Sequence, residues 1–114
     1  MSLPAKMVEG VEVVALSGRL DAANAIEVRD QIRGLIQAGE GRVLIDLSGI
    51  KFLDSSGISV LVGAMKEANS KGGRIALLRV PPTVRSLLEL TRLHRVFDTF
   101  EDEDHACRVM AKRA

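Results

Sequence analysis

Three short apolar runs alternate with stretches in which apolar residues recur at helical spacing, and no other feature of this 114-residue chain constrains its fold as much. The runs are "VEVVALS" (11–17), "VLIDL" (43–47) and "IALLRV" (75–80). A nearly continuous apolar run suits a strand covered on both faces, as in a parallel sheet. Between the first two, Ala25, Val28, Ile32, Leu35 and Ile36 share one face of a helix, closed by "AGEG" (38–41). Between the second and third, Ile58, Leu61, Val62, Met65 and Ala68 do the same, closed by "SKGG" (70–73). Met7 and Val8 read as a short leading strand, with Glu9-Gly10 as the turn. Gly18 breaks the 11–17 strand, Asp21 or Asn24 caps the first helix, and Asn24 with Glu27 has the spacing of a capping box. "SGIKF" (48–52) reads as an exit loop. After 75–80, Pro82 or Thr83 opens a third helix carrying Val84, Leu87, Leu88 and Thr91. "VFDTF" (96–100) is a short strand, and a last helix runs from Glu103, acids early and Lys112 and Arg113 late. The expectation is one α/β domain over 1–114, core about 5–112. It has a mixed, largely parallel sheet of four to five strands packed with about four helices.

Composition removes several functions. Sixteen Lys or Arg face fifteen Asp or Glu, so no global field draws the chain to nucleic acid or an anionic membrane. Trp and Tyr are absent, which argues against stacking platforms for single strands. Arg85, Arg92 and Arg95 read as a solvated helix face. Cys107 has no cysteine to pair with and reads as a small, partly buried apolar residue. The opening "MSLPAKMVEG" has no apolar h-region, and no run is long enough to span a bilayer. The expected location is the cytoplasm. With no heptad or long apolar edge, the expected state is a monomer.

The chemistry centres on "LDSSGISVL" (53–61). In open α/β sheets the functional crevice lies beyond the carboxyl ends of the strands, and this segment follows such an end. Three readings stand side by side. A serine there caps the helix that begins near Gly57, because its first N–H groups lack intrahelical partners. A phosphate on a serine there would be stabilised by the same groups. A nucleophilic serine would need a base held by a third group. The two histidines, His94 and His105, have no triad spacing, and Gly-x-Ser-x-Gly is absent. "SGIK" (48–51) matches Ser-x-x-Lys, but its companion β-lactamase motifs are missing. No Walker A or Gly-x-Gly-x-x-Gly loop calls for a cofactor. "EDED" (101–104) reads as a solvated, helix-opening acidic run, and no Cys/His cluster suggests a metal.

"LIDLSGIKFLDSSGISVLVGAMKEA" (44–68) resembles the signature of the STAS domain, and more closely that of the small bacterial anti-sigma-factor antagonists. "LSGRLDAANA" (16–25) and "GGRIALLRVPPTVRSLLELTRLHRVFDTF" (72–100) extend the likeness over nearly the whole chain. The resemblance implies a non-enzymatic partner switch. An unphosphorylated antagonist binds an anti-sigma-factor serine kinase and releases a sigma factor; the kinase phosphorylates it, and a metal-dependent serine phosphatase resets it. On that motif Ser55 is the phosphoacceptor. Asp21, Asp54, Ser55, Ser56, Gly57 and Ile58 are the partner-binding residues. Arg19 stands where the family commonly has an acid, and Ser59 where it commonly has glycine. The same fold with a different output, such as a cyclase, a secretion system or another signalling complex, is the alternative. A serine hydrolase and a nucleotide-binding domain are the other two readings.

Overall fold

The computed structural model describes residues 3–111. The elements follow one another as β1 (Ala5–Val8), β2 (Val11–Leu20), α1 (Ala25–Ala38), β3 (Arg42–Leu53), α2 (Ser55–Ser70), β4 (Arg74–Leu78), α3 (Pro82–Leu90), a 3₁₀ turn (Leu93–Arg95), β5 (Asp98–Phe100) and α4 (Glu103–Ala111). One five-stranded sheet has the order β1-β2-β3-β4-β5. Only β1 runs antiparallel to its neighbour; β2, β3, β4 and β5 are parallel. The mixed sheet and its helices match the expected class. Val8 pairs with Val11 across Glu9 and Gly10, both with positive φ, which is the two-residue hairpin the sequence predicts.

Side chains of the central strands alternate between two cores. Val43, Ile45, Leu47, Ile75 and Leu77 face α1, α2 and α3, where Val28, Ile32, Ile36, Val60, Leu61, Ala68, Val84 and Leu88 meet them. Leu44, Ala76 and Leu78 face the other way, onto Ala106, Cys107 and Met110 of α4. Cys107 is therefore fully buried rather than partly so. Burial pushes its thiol pKa up, and the carboxylates of Glu103, Glu9 and Asp104 add to the shift. Asp102 caps α4, its Oδ2 accepting from His105 N at 3.0 Å, and Glu103 reaches Lys6 Nζ at 2.8 Å. Lys112 and Arg113 lie outside the described residues.

Several boundaries differ from the sequence reading, each for a physical reason. Gly18 does not end β2. It sits at φ +73° in an irregularity of the β2–β3 ladder, and the strand continues to Leu20. "SGIKF" is not a loop. Paired against this longer β2, β3 runs on to Leu53, with Ser17 opposite Gly49 and Leu20 opposite Leu53. β4 stops at Leu78, since Arg79 turns out of the ladder at φ +51°. β5 begins only at Asp98, because Val96 and Phe97 bond back to Leu93. The Asn24–Glu27 capping box does not form. The Asn24 amide instead donates to Arg19 O and accepts from Asp21 N, holding the turn before α1.

Candidate functional site

The parallel ladder brings β2 and β3 to a common end at the pair Leu20 and Leu53. The next residue on each strand is an aspartate, Asp21 and Asp54, and Asp54 N donates to Leu20 O at 3.4 Å. Asp54 is also the whole connection between β3 and α2, which begins at Ser55. The helix thus starts two residues earlier than its apolar spacing suggests.

The cap is Asp54, not a serine. Its Oδ1 accepts from Ser56 N at 2.9 Å and Gly57 N at 3.3 Å. A carboxylate on these N–H groups satisfies donors that would otherwise be orphaned and complements the helix dipole. Two consequences follow for the serines. Their hydroxyls carry no capping duty, and neither hydroxyl is hydrogen-bonded among the described residues. The Ser56 and Gly57 N–H groups are also engaged, both donating to Asp54 Oδ1.

Ser55 is exposed, Ser56 is half-buried and Gly57 is buried. Gly57 lies against the two strand ends. A Cβ there would come within 2.6 Å of Leu53 Cγ and 3.0 Å of Leu20 O. This contact sets the first turn of α2 on the sheet and turns Ser55 outward. Ile58 is half-buried against the main core, so only part of its side chain reaches the surface.

Asp21 stands in the turn beside this helix start. Its Oδ1 accepts from Ala23 N at 3.0 Å and its Oδ2 lies 3.2 Å from Arg19 Nε. The Arg19 guanidinium also covers the ring of Phe52, 4.1 Å from its centroid, a cation–π contact. Phe52 is 40% exposed. Sequence spacing did not single it out because it fell in a supposed loop; an aromatic among only three in the chain was the available signal. Ile26, 65% exposed, is the other apolar neighbour. It is out of phase with the buried face of α1, which the helical periodicity itself reveals.

His94 lies in the 3₁₀ turn and His105 packs edge-on to Phe100, ring centroids 5.7 Å apart. Among the described residues, neither imidazole is hydrogen-bonded to a serine, and no group of three His, Cys, Asp or Glu could hold a metal ion. No described helix is long and apolar enough to cross a membrane.

The chain as a whole has relatives among known proteins. The STAS domain family matches residues 2–106. The anti-sigma F factor antagonist of Paenibacillus polymyxa is 36% identical over 98 residues, covering 85% of this chain and 84% of that protein. Two solved structures superpose closely. An anti-sigma-factor antagonist (STAS) domain protein from Planctomyces limnophilus has a TM-score of 0.87 at 26% identity, over 98% of this chain and 100% of that one. The Bacillus cell fate determinant SpoIIAA in its phosphorylated form has a TM-score of 0.73 at 26% identity, over 95% and 99%. A match over this share of the sequence, with the fold to go with it, means that the chain belongs to the STAS domain family and has anti-sigma factor antagonists as its relatives.

Proposed function

We propose that this chain is an anti-sigma-factor antagonist whose choice of partner depends on phosphorylation of Ser55. Unphosphorylated, it binds an anti-sigma factor that is a serine kinase, and the sigma factor held by that kinase is released. The kinase then transfers the γ-phosphoryl group of ATP to Ser55 Oγ. An O–P bond replaces the O–H bond, the proton leaves and ADP departs. A metal-dependent serine phosphatase hydrolyses the ester and resets the switch.

One observation carries this reading. Asp54 takes over the cap and leaves an exposed, unengaged hydroxyl at the first position of α2. Phosphorylation there adds about −1.5 to −2 charges beside the Asp54 carboxylate, on a surface that must lose water to bind. Two donors of the first helical turn, Ser56 N and Gly57 N, are already engaged by Asp54. The ester therefore projects outward, and binding fails through repulsion and steric exclusion with the fold intact.

Phosphopeptide mass spectrometry on the protein from its native cells, with a Ser55→Ala strain as control, is the direct test. Phosphate on Ser55 is the expected result. Its absence under every growth condition and stress would make the chain a constitutive binding module. In calorimetric titration with the kinase, Ser55→Asp should bind at least about tenfold more weakly than wild type, a loss of about 1.4 kcal/mol. Equal affinities would sink the mechanism.

A further inference from the structure

We propose that the groove between the first turns of α1 and α2 selects the kinase, by receiving an acidic side chain of that partner that lies next to an apolar one. The inference rests on reading Ser55 as the kinase substrate. The groove encloses about 310 Å3 and is lined by Ala25, Ile26, Arg29, Ser56, Ser59 and Val60. Ser56 connects it directly to the phosphoacceptor. An interface of ordinary size covers about 800 Å2 on each partner. A kinase that encloses Ser55 therefore reaches the groove.

The charge pattern along the α1–α2 seam points to the acidic group. One turn further along, Arg33 is paired across the seam, its Nε 3.7 Å from Glu67 Oε1, and Gln37 donates to the same oxygen at 3.2 Å. At the level of Arg29, α2 offers the groove two hydroxyls and no carboxylate. The Ser59 hydroxyl is turned to its own helix, donating to Ser55 O at 3.1 Å. The ion pair Arg29 makes is with Asp30, its neighbour in sequence, at 3.2 Å, with both side chains about half exposed. Such a pair contributes little and exchanges readily. Cross-seam charge pairing thus stops one turn short of the switch, and a partner carboxylate would complete it. The unengaged Ser56 hydroxyl stands ready as a second donor. Ile26, exposed on the rim, with Ala25 and Val60 in the wall, supplies the apolar contact. Arginine is among the residues enriched at the energetic centres of interfaces.

The test uses the native kinase without having to isolate it. Purified protein is added to extract of the native host with ATP, and the initial rate of Ser55 phosphorylation is followed by intact-mass spectrometry over a range of added concentrations. Arg29→Glu should raise the half-saturating concentration at least about tenfold and leave the plateau rate unchanged, the signature of lost docking rather than lost transfer. Ile26→Ser should act in the same direction, and Arg29→Lys should stay within about threefold of wild type. Both side chains are exposed, so the variants should keep the wild-type thermal midpoint. An Arg29→Glu protein with the wild-type half-saturating concentration overturns the groove, and so does a lowered plateau without a shift in half-saturation. If wild-type protein takes no phosphate at all, the Ser55 reading falls first and this inference falls with it.

Discussion

Asp54 decides what the two serines are free to do. Any of Asp, Ser, Thr or Asn can cap a helix, so "DSSG" admits three caps in principle. Strand β3 settles the choice by running to Leu53, which leaves Asp54 alone in the extended conformation that a cap requires, at φ −111° and ψ −165°. Gly57 is the counterpart in packing. Within a helix, alanine is ordinarily favoured over glycine by about 1 kcal/mol. At Gly57 the added Cβ would instead meet Leu53 Cγ at 2.6 Å and the Leu20 carbonyl oxygen at 3.0 Å. Gly57→Ala should therefore lower stability by about 1–3 kcal/mol, as overpacking does. A drop in the urea midpoint checks this, and a rise would mean that the strand ends yield. The residue type at 57 is visible in the sequence. The reason for it is not, because Leu20 lies 37 positions away and meets it only through the β2–β3 ladder.

At the scale of elements, the length of β3 shapes the site more than any helix does. The notional loop "SGIKF" contains Gly and Lys, which are depleted in strands, and the continuous apolar run stops at Leu47. Pairing with an equally long β2 overrides that preference. The same strand carries a cross-link that titrates. Partial burial of Asp46 pushes its pKa up, but the Ser48 N–H at 3.0 Å, the Ser48 hydroxyl and the Arg79 guanidinium at 2.9 Å together outweigh it and hold the carboxyl below its usual value. A carboxylate held low in the folded state stabilises the fold above the unfolded pKa of about 3.9. That contribution is lost as pH falls through the folded value. Wild type and Asp46→Asn should therefore differ in stability at neutral pH, by about 1–2 kcal/mol for a charge-assisted hydrogen bond. Chemical denaturation across pH 2–7 should show the difference shrinking in the acid limb (about one charged group titrating). A gap independent of pH would mean that Asp46 acts only by packing.

The whole molecule rests on two cores that share strands. β3 and β4 send alternate residues to each face, so neither core can open without disturbing the ladder that supports the other. Ile32→Ala, in the main core, and Met110→Ala, under α4, should each cost about 2–5 kcal/mol. Both should lower the same single transition seen by circular dichroism and by hydrogen exchange of β3. A separate early transition for Met110→Ala would make α4 an independent unit. This shared support also bears on the switch. A sheet anchored on both faces gives α2 a fixed seat, so under the proposed switch a charge added at Ser55 is expected to act as repulsion at the surface and not as refolding.

Although in α2 the buried Val60 and Ala64 lie outside the face that its spacing predicts, the order of elements, the hairpin at Glu9-Gly10 and the buried face of α1 were determined by local information, apolar periodicity and turn chemistry. Each depends on residues close together along the chain, which is why a single sequence carries it. The extent of β2 and β3, the identity of the cap, the close approach at Gly57 and the unpaired state of Arg29 across the α1–α2 seam were decided only by the tertiary structure. Each depends on which backbone lies beside which, a matter of register between strands and helices far apart in sequence. The sequence pointed to residues 53–57; the ladder between β2 and β3 determined which of their side chains reach the surface.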